Sequence, residues 1–191
     1  MRIAVMALQG AFIEHEHTLA RLGAESFEVR QASDWLQPKD GLIIPGGEST
    51  TQLKLLRDLG LLQPVREAIR GGLPVFGTCA GLILLAKHVD GEDFERISTM
   101  DISVRRNAYG RQLGSFFTTG KMKGVADNVP MTFIRAPYIN KVGDGVDILA
   151  QEQGHIVAAR QANQLVTAFH PELNSSTAVH EYFLRMASES K

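Results

Sequence analysis

The sequence predicts an α/β protein on a doubly wound, largely parallel sheet with antiparallel additions. In the first half, short apolar runs alternate with helical patterns, the signature of strand-helix-strand units. Glycine-bearing turns follow several of those runs, and in the second half apolar runs succeed one another without helices between them. The first strand is expected over Arg2–Leu8, an apolar stretch stopped by Gln9-Gly10, followed by a helix over about Phe12–Leu22. Strands at Ser26–Arg30 and Leu42–Ile44 come next, then helices at about Thr50–Leu59 and Pro64–Ile69. A strand at Val75–Gly77 feeds a helix over Ala80–His88. The strand-rich half runs through Asp101–Val104, Leu113–Thr119, Met131–Arg135, Asp147–Gln151, Ile156–Gln161 and Leu165–Phe169, and a helix over about Thr177–Ala187 closes the chain. In sheets of this kind ligands bind beyond the carboxyl ends of the strands. Gln9-Gly10, Gly46-Gly47 and Cys79 all fall at such ends.

Cys79 is the only cysteine, and it stands in Gly77-Thr78-Cys79-Ala80-Gly81 between a short apolar strand and an apolar helix. Small residues on both sides allow a sharp strand-to-helix turn that pushes a reactive atom out above the sheet, as in the serine nucleophile elbow. A helix N-terminus also favours thiolate over thiol through its dipole and free N–H groups. Alone, a single cysteine is more often a small buried hydrophobe. A histidine strengthens the case: the run Leu165–Phe169 ends in His170-Pro171-Glu172. Proline disfavours helical backbone before it, so His170 is expected extended, with Glu172 on the same side and in reach of the ring. Cys79, His170 and Glu172 then satisfy the general triad logic of nucleophile, base and orienting carboxylate.

A paired-glycine loop follows another buried strand in Gly41-Leu42-Ile43-Ile44-Pro45-Gly46-Gly47-Glu48-Ser49-Thr50-Thr51, with Ser and Thr as candidate helix caps. Glycine N–H groups can approach a substrate closely, so those of Gly47 and of Ala80, after the nucleophile, are the candidate oxyanion hole. A plain turn is the simpler alternative. A phosphate loop ranks low, because neither Gly-Lys-Ser/Thr nor Gly-x-Gly-x-x-Gly is present.

Across nearly its full length the chain resembles the class I (triad) glutamine amidotransferases, and within them the glutaminase subunits of pyridoxal 5′-phosphate synthases. The resemblance rests on Leu8-Gln9-Gly10-Ala11, Pro45–Thr51, Gly77–Gly81, Arg106-Asn107-x-x-Gly110-Arg111-Gln112, Phe133-Ile134-Arg135-Ala136-Pro137 and Phe169–Leu173. It implies a flavodoxin-like amidotransferase fold and one glutaminase domain over residues 1–191. It also implies hydrolysis of L-glutamine to glutamate and ammonia through a γ-glutamyl thioester on Cys79. Substrate binding would fall to Gly46, Gly47, Glu48, Arg106, Ile134 and Arg135, since guanidinium forks match an α-carboxylate. Gln9 and Gly10 would lie near the oxyanion hole and the subunit contact. The implied partner is a (β/α)₈-barrel synthase subunit in a large hetero-oligomer, which receives the ammonia for vitamin B6 synthesis. No cofactor is implied.

Composition agrees with that reading. With 191 residues, 44% of them hydrophobic, one well-buried core is expected. Twenty basic and twenty-one acidic residues leave a net charge of −1, so no basic field of the nucleic-acid-binding kind exists. One cysteine suits a reducing compartment, and Ile3–Leu8 is too short for a signal core or membrane span, so a cytoplasmic protein is expected. His15 and His17 read as helix-surface residues, not metal ligands. Arg135, set among apolar neighbours, looks less like a free surface charge than Arg105 does. Two alternatives stay open: another cysteine hydrolase or redox protein on the same scaffold, and a non-catalytic regulatory subunit. The first would not need the arginines of the glutamine site, and the second predicts a broken triad.

Overall fold

The computed structural model describes residues 1–106 and 115–190. The motif residues Asn107, Gly110, Arg111 and Gln112, and the start of the strand expected from Leu113, lie outside them. The first half winds as the alternation predicts: β1 (Arg2–Met6), α1 (Phe12–Arg21), β2 (Glu25–Val29), a short α2 (Ala32–Trp35), β3 (Gly41–Ile44), α3 (Ser49–Asp58), α4 (Leu62–Arg70), β4 (Val75–Thr78) and α5 (Ala80–Leu85). Then come β5 (Ala86–Val89), β6 (Met100–Arg105), β7 (Ser115–Met122), β8 (Ala126–Ile134), β9 (Tyr138–Val142), β10 (Asp147–Glu152), β11 (His155–Gln161), β12 (Gln164–Thr167), a 3₁₀ turn (Pro171–Leu173) and α6 (Ala178–Glu189).

The main sheet runs β2-β1-β3-β4-β12-β11-β9-β6-β5, with β10 on β11, and β7 and β8 form a separate ribbon. Strands β2, β1, β3, β4 and β12 are parallel to one another, and β11 and β9 continue the sheet antiparallel. β3 and β4 are buried at every residue, as strands covered on both faces must be. The topology sets β12, late in the chain, directly beside β4, with Thr167 opposite Thr78. That pairing brings the Cys79 and His170 segments together.

Three expectations about local structure need correction. The helix after the elbow stops at Leu85 instead of reaching His88, because Ala86–Val89 pairs with β6 as an edge strand. An unbroken apolar run does not by itself say whether its backbone will bond within the segment or to a neighbour. The cap of α3 is neither Ser49 nor Thr50 but Glu48, whose carboxylate accepts the Thr51 N–H at 3.0 Å. His15 is fully buried, whereas its neighbour His17 is exposed.

Candidate active site

Cys79 sits at the junction of β4 and α5 with φ 47° and ψ −96°, a left-handed conformation that L residues adopt only at a cost of about 1–3 kcal/mol. Its N–H donates to Thr167 O of β12 at 2.8 Å, which ties the elbow to the strand that leads to His170. The flanking glycines are needed for room: a Cβ on Gly81 would run into the carbonyl of Ile44, and one on Gly77 into the backbone of Gly81 at 2.8 Å.

The ladder of β12 ends at Thr167, and the chain then leaves the sheet. The His170 N–H is held by Thr132 O of β8 at 2.8 Å, and its carbonyl accepts from Asn174 Nδ2 at 3.2 Å. Pro171 starts a 3₁₀ turn, so a tight turn, not a straight extended segment, carries the carboxylate round to the ring. His170 Nδ1 and Glu172 Oε1 are 2.7 Å apart, both residues buried, which leaves Nε2 to face the thiol. Burial works against charging the imidazole, but hydrogen bonding to Cys79 and Glu172 and their nearby charges outweigh it, raising the pKa to about 10. An imidazolium so held stays protonated at neutral pH and so carries a proton beside the thiol.

The Gly46–Glu48 loop is pinned from three sides. Thr78 Oγ1 accepts the Gly46 N–H at 2.9 Å, Gln9 Oε1 accepts the Glu48 N–H at 2.7 Å, and Ala11 N–H donates to Gly46 O at 3.0 Å. Gly10, at φ +101°, passes so close to Gly46 that a Cβ there would overlap its carbonyl. Gln52 Nε2 bridges the carbonyls of Gln9 and Pro45 at 2.9 and 3.1 Å. Gln9 therefore braces the glycine loop directly. With the N–H groups of Gly46 and Glu48 engaged, Gly47 is the remaining peptide of the loop for an oxyanion, and Ala80 opens α5 at the other side of the thiol.

Hydrogen bonds from the Thr50 hydroxyl, then from the Thr51 N–H and hydroxyl, together with the Arg106 charge, outweigh burial and hold Glu48 below the usual carboxylate range. Arg106 spans two acids, Glu92 Oε1 at 2.6 Å and Glu48 Oε1 at 3.3 Å. Nothing in the local sequence of Glu92 marks it as the Arg106 partner. On the opposite wall, Ile134 O lies 4.0 Å from Cys79 Sγ, and Arg135 takes φ +43°, a second strained residue. Arg135 and Arg105 are both exposed, Arg135 at the cleft and Arg105 paired with Asp90 at 3.2 Å, so exposure does not separate them as their neighbours in sequence suggested. Of the site residues expected from the sequence, all but Glu172 and Ala80 line one cleft of about 390 Å³: Gln9, Gly10, Gly46, Gly47, Glu48, Cys79, Arg106, Ile134, Arg135 and His170, with Ala11, Ser49, Ile83 and Leu173.

Beneath the cleft lies a pair of histidines not anticipated from the sequence. His15 Nδ1 is 2.9 Å from His180 Nε2, and His15 Nε2 is 3.3 Å from Thr78 Oγ1. The signal was present, since His15, Thr18 and Leu19 share the helical spacing of one buried face. Burial, then the charges of His180 and His170, keep the His15 pKa well below its usual value; burial, then Arg21, lower that of His180 to about 3. The unfolded chain takes up protons near pH 6.5 that the native state refuses, so stability falls as pH drops from about 6.5 toward 3. Each such group contributes up to about 1.4 kcal/mol per pH unit. His170 acts in the opposite sense: its contribution is complete below 6.5 and is lost only as pH rises through about 10. Urea midpoints measured between pH 7 and 4 should therefore fall less steeply in His180→Leu than in the parent. Equal slopes would refute the assignment.

A thiol paired with an imidazole above the carboxyl ends of a doubly wound sheet, on a fold shared with solved amidotransferases, places the protein among the class I glutamine amidotransferases. The chain belongs to the SNO glutamine amidotransferase family, whose family model matches residues 5–189. It is 56% identical over 192 residues to the pyridoxal 5′-phosphate synthase subunit PdxT of Streptococcus pneumoniae strain ATCC 700669, covering 99% of both chains, and equally to that of strain TIGR4. A crystal structure of a glutamine amidotransferase superposes with TM-score 0.92 at 42% identity, over 97% of this chain and 98% of the other. A glutamine amidotransferase from Thermotoga maritima shares the fold, with TM-score 0.65 at 14% identity over 99% of this chain and 84% of that one. No helix among the described residues is long and apolar enough to cross a membrane.

Proposed function

We propose that Cys79, His170 and Glu172 hydrolyse the side-chain amide of L-glutamine, and that the ammonia passes directly to a synthase subunit that builds pyridoxal 5′-phosphate. The observation that carries the reading is His170, set between the thiol of Cys79 and the carboxylate of Glu172 at the wall of the cleft. The thiolate attacks the γ-carbonyl carbon, and the N–H groups of Gly47 and Ala80 receive the oxyanion. His170 gives its proton to the departing nitrogen, leaving a γ-glutamyl thioester and ammonia. It then takes a proton from water, whose oxygen displaces the thiol and releases glutamate. Glu48, kept ionised, suits the α-ammonium of the substrate, while Arg106 and Arg135 suit its α-carboxylate. Gly46 and Ile134 shape the two walls.

Residues 1–191 act in this reading as one glutaminase domain in the cytoplasm. The partner is a (β/α)₈-barrel subunit in a large hetero-oligomer, docked over Gln9-Gly10 and the Gly46–Glu48 loop. The relatives named as pyridoxal 5′-phosphate synthase subunits support that choice. Free ammonia is largely ammonium at neutral pH and diffuses away, so direct transfer gives the activity its use. Docking would fix the final orientation of the Gly47 N–H in a loop already braced by Gln9, Thr78 and Ala11, since the paired glycines leave that backbone more freedom than other residues would. Steady-state ammonia release from glutamine should accordingly be weak for the isolated chain and rise on titration with purified synthase subunit. Full activity alone, indifferent to the partner, would reject the coupling and leave the triad chemistry standing.

A further inference from the structure

We infer that His15, with its tautomer set by His180, is a positioning residue that directs its N–H at the second carboxylate oxygen of Glu172 and ties that carboxylate to the glycine loop. The inference rests on the triad reading above and extends it inward.

The Glu172 side chain is wholly buried, and while Oε1 meets His170, Oε2 has no hydrogen-bond partner among the described residues. A buried carboxylate oxygen left bare is costly, so a donor directed at it matters. His15 Nε2 lies 3.6 Å from Oε2 and is equally buried. A neutral imidazole has one N–H, and His15 is held neutral by burial and by the charges of His180 and His170. If that N–H sat on Nδ1, the ring would turn a lone pair toward the carboxylate, and the two would repel. With the N–H on Nε2, Nδ1 becomes an acceptor, and His180 Nε2, 2.9 Å away, is the group placed to donate to it.

His180 thus selects the tautomer, and its own Nδ1 is the ring nitrogen left without a partner among the described residues. The same His15 Nε2 is 3.3 Å from Thr78 Oγ1, which accepts the Gly46 N–H. One ring therefore contacts both the orienting carboxylate and the residue that anchors the loop beside the oxyanion position. Phe76 packs edge-on to both imidazoles, at 6.0 Å from His15 and 5.6 Å from His180, and limits their rotation.

The test is a double-mutant cycle between His15→Leu and Glu172→Gln, measured by ammonia release from the full chain saturated with its synthase partner. His15→Leu should lower kcat about tenfold or more, with KM within about twofold. On the Glu172→Gln background it should cost nothing further, because its effect passes through that carboxylate. His15→Gln, whose amide can present N–H where Nε2 stood, should recover most of the loss. In proton NMR, the deshielded resonance of the His170 N–H on Glu172 should shift in His15→Leu. Wild-type turnover in His15→Leu, additive losses in the cycle, or no rescue by glutamine would each overturn the inference. If His15→Leu does not fold, His180→Leu takes its place in the cycle, with the same non-additivity expected and additive losses or wild-type turnover again decisive against it. Full turnover in Glu172→Gln alone would overturn the triad reading itself, a result distinct from failure of the relay.

Discussion

Replacing Cys79 by alanine should reduce glutamine hydrolysis by on the order of 10⁴-fold or more while the fold is kept, because the covalent route disappears with its nucleophile. Alanine is smaller than cysteine, and the elbow's backbone bond to Thr167 does not use the side chain. The left-handed strain at position 79 is unchanged in kind by the substitution. His170→Asn should be comparably inactive. Glu172→Gln should be roughly 50- to 100-fold less damaging, since that residue orients the base and does not touch the reacting atoms. Single-turnover assays with the synthase partner present measure all three. A glutamine analogue bearing an electrophile should label Cys79, as read by mass spectrometry of the digested protein. Substantial turnover by Cys79→Ala, or labelling elsewhere, would end the mechanism.

Gly46→Ala should be nearly as severe, for a reason visible only in three dimensions. A Cβ at position 46 would overlap His170 Cε1 and stand 2.8 Å from Nδ1 and 3.2 Å from Nε2. The imidazole must then rotate or withdraw, and either movement takes it from Glu172 or from Cys79. Loss of the general base and acid costs about 10²- to 10⁴-fold, so kcat should fall in that range with the circular dichroism spectrum unchanged. Gly47→Ala is the contrast. Its Cβ would meet Gln9 Oε1 and lie 3.0 Å from Gln52 Nε2 and from the Gly10 Cα, so it presses on the braces of the loop and leaves the imidazole in place. The ordering of the two variants, by kcat in the saturated complex, checks the account; equal, mild effects would contradict it.

Much of the candidate site is legible from local pattern. The glycine-flanked Cys79, the His170-Pro171-Glu172 segment and the Gly46-Gly47 loop each follow an apolar strand, and all three converge on one cleft. What eluded local reading depends on partners distant in the chain. Glu92 gains its place through Arg106 and Arg96, and burial, which opposes its ionisation, is outweighed by those two guanidiniums, leaving its pKa lowered. His15 looks like a surface residue within Glu14-His15-Glu16-His17, yet its helix turns that position inward against β4 and α6. The edge strand Ala86–Val89 is a matter of pairing with β6, which no property of those four residues announces.

By itself, the sequence determined the α/β alternation, the elbow and the residue types of the chemistry, because glycine spacing, apolar periodicity and proline restriction act over a few residues. Only the tertiary structure decided that β12 lies beside β4, that Glu48 caps α3 and meets Arg106, and that two histidines lie under Glu172. Those outcomes depend on which strands exchange backbone hydrogen bonds and on which polar groups must find partners once buried. Both are settled by the whole packed core together, not by any short stretch of chain.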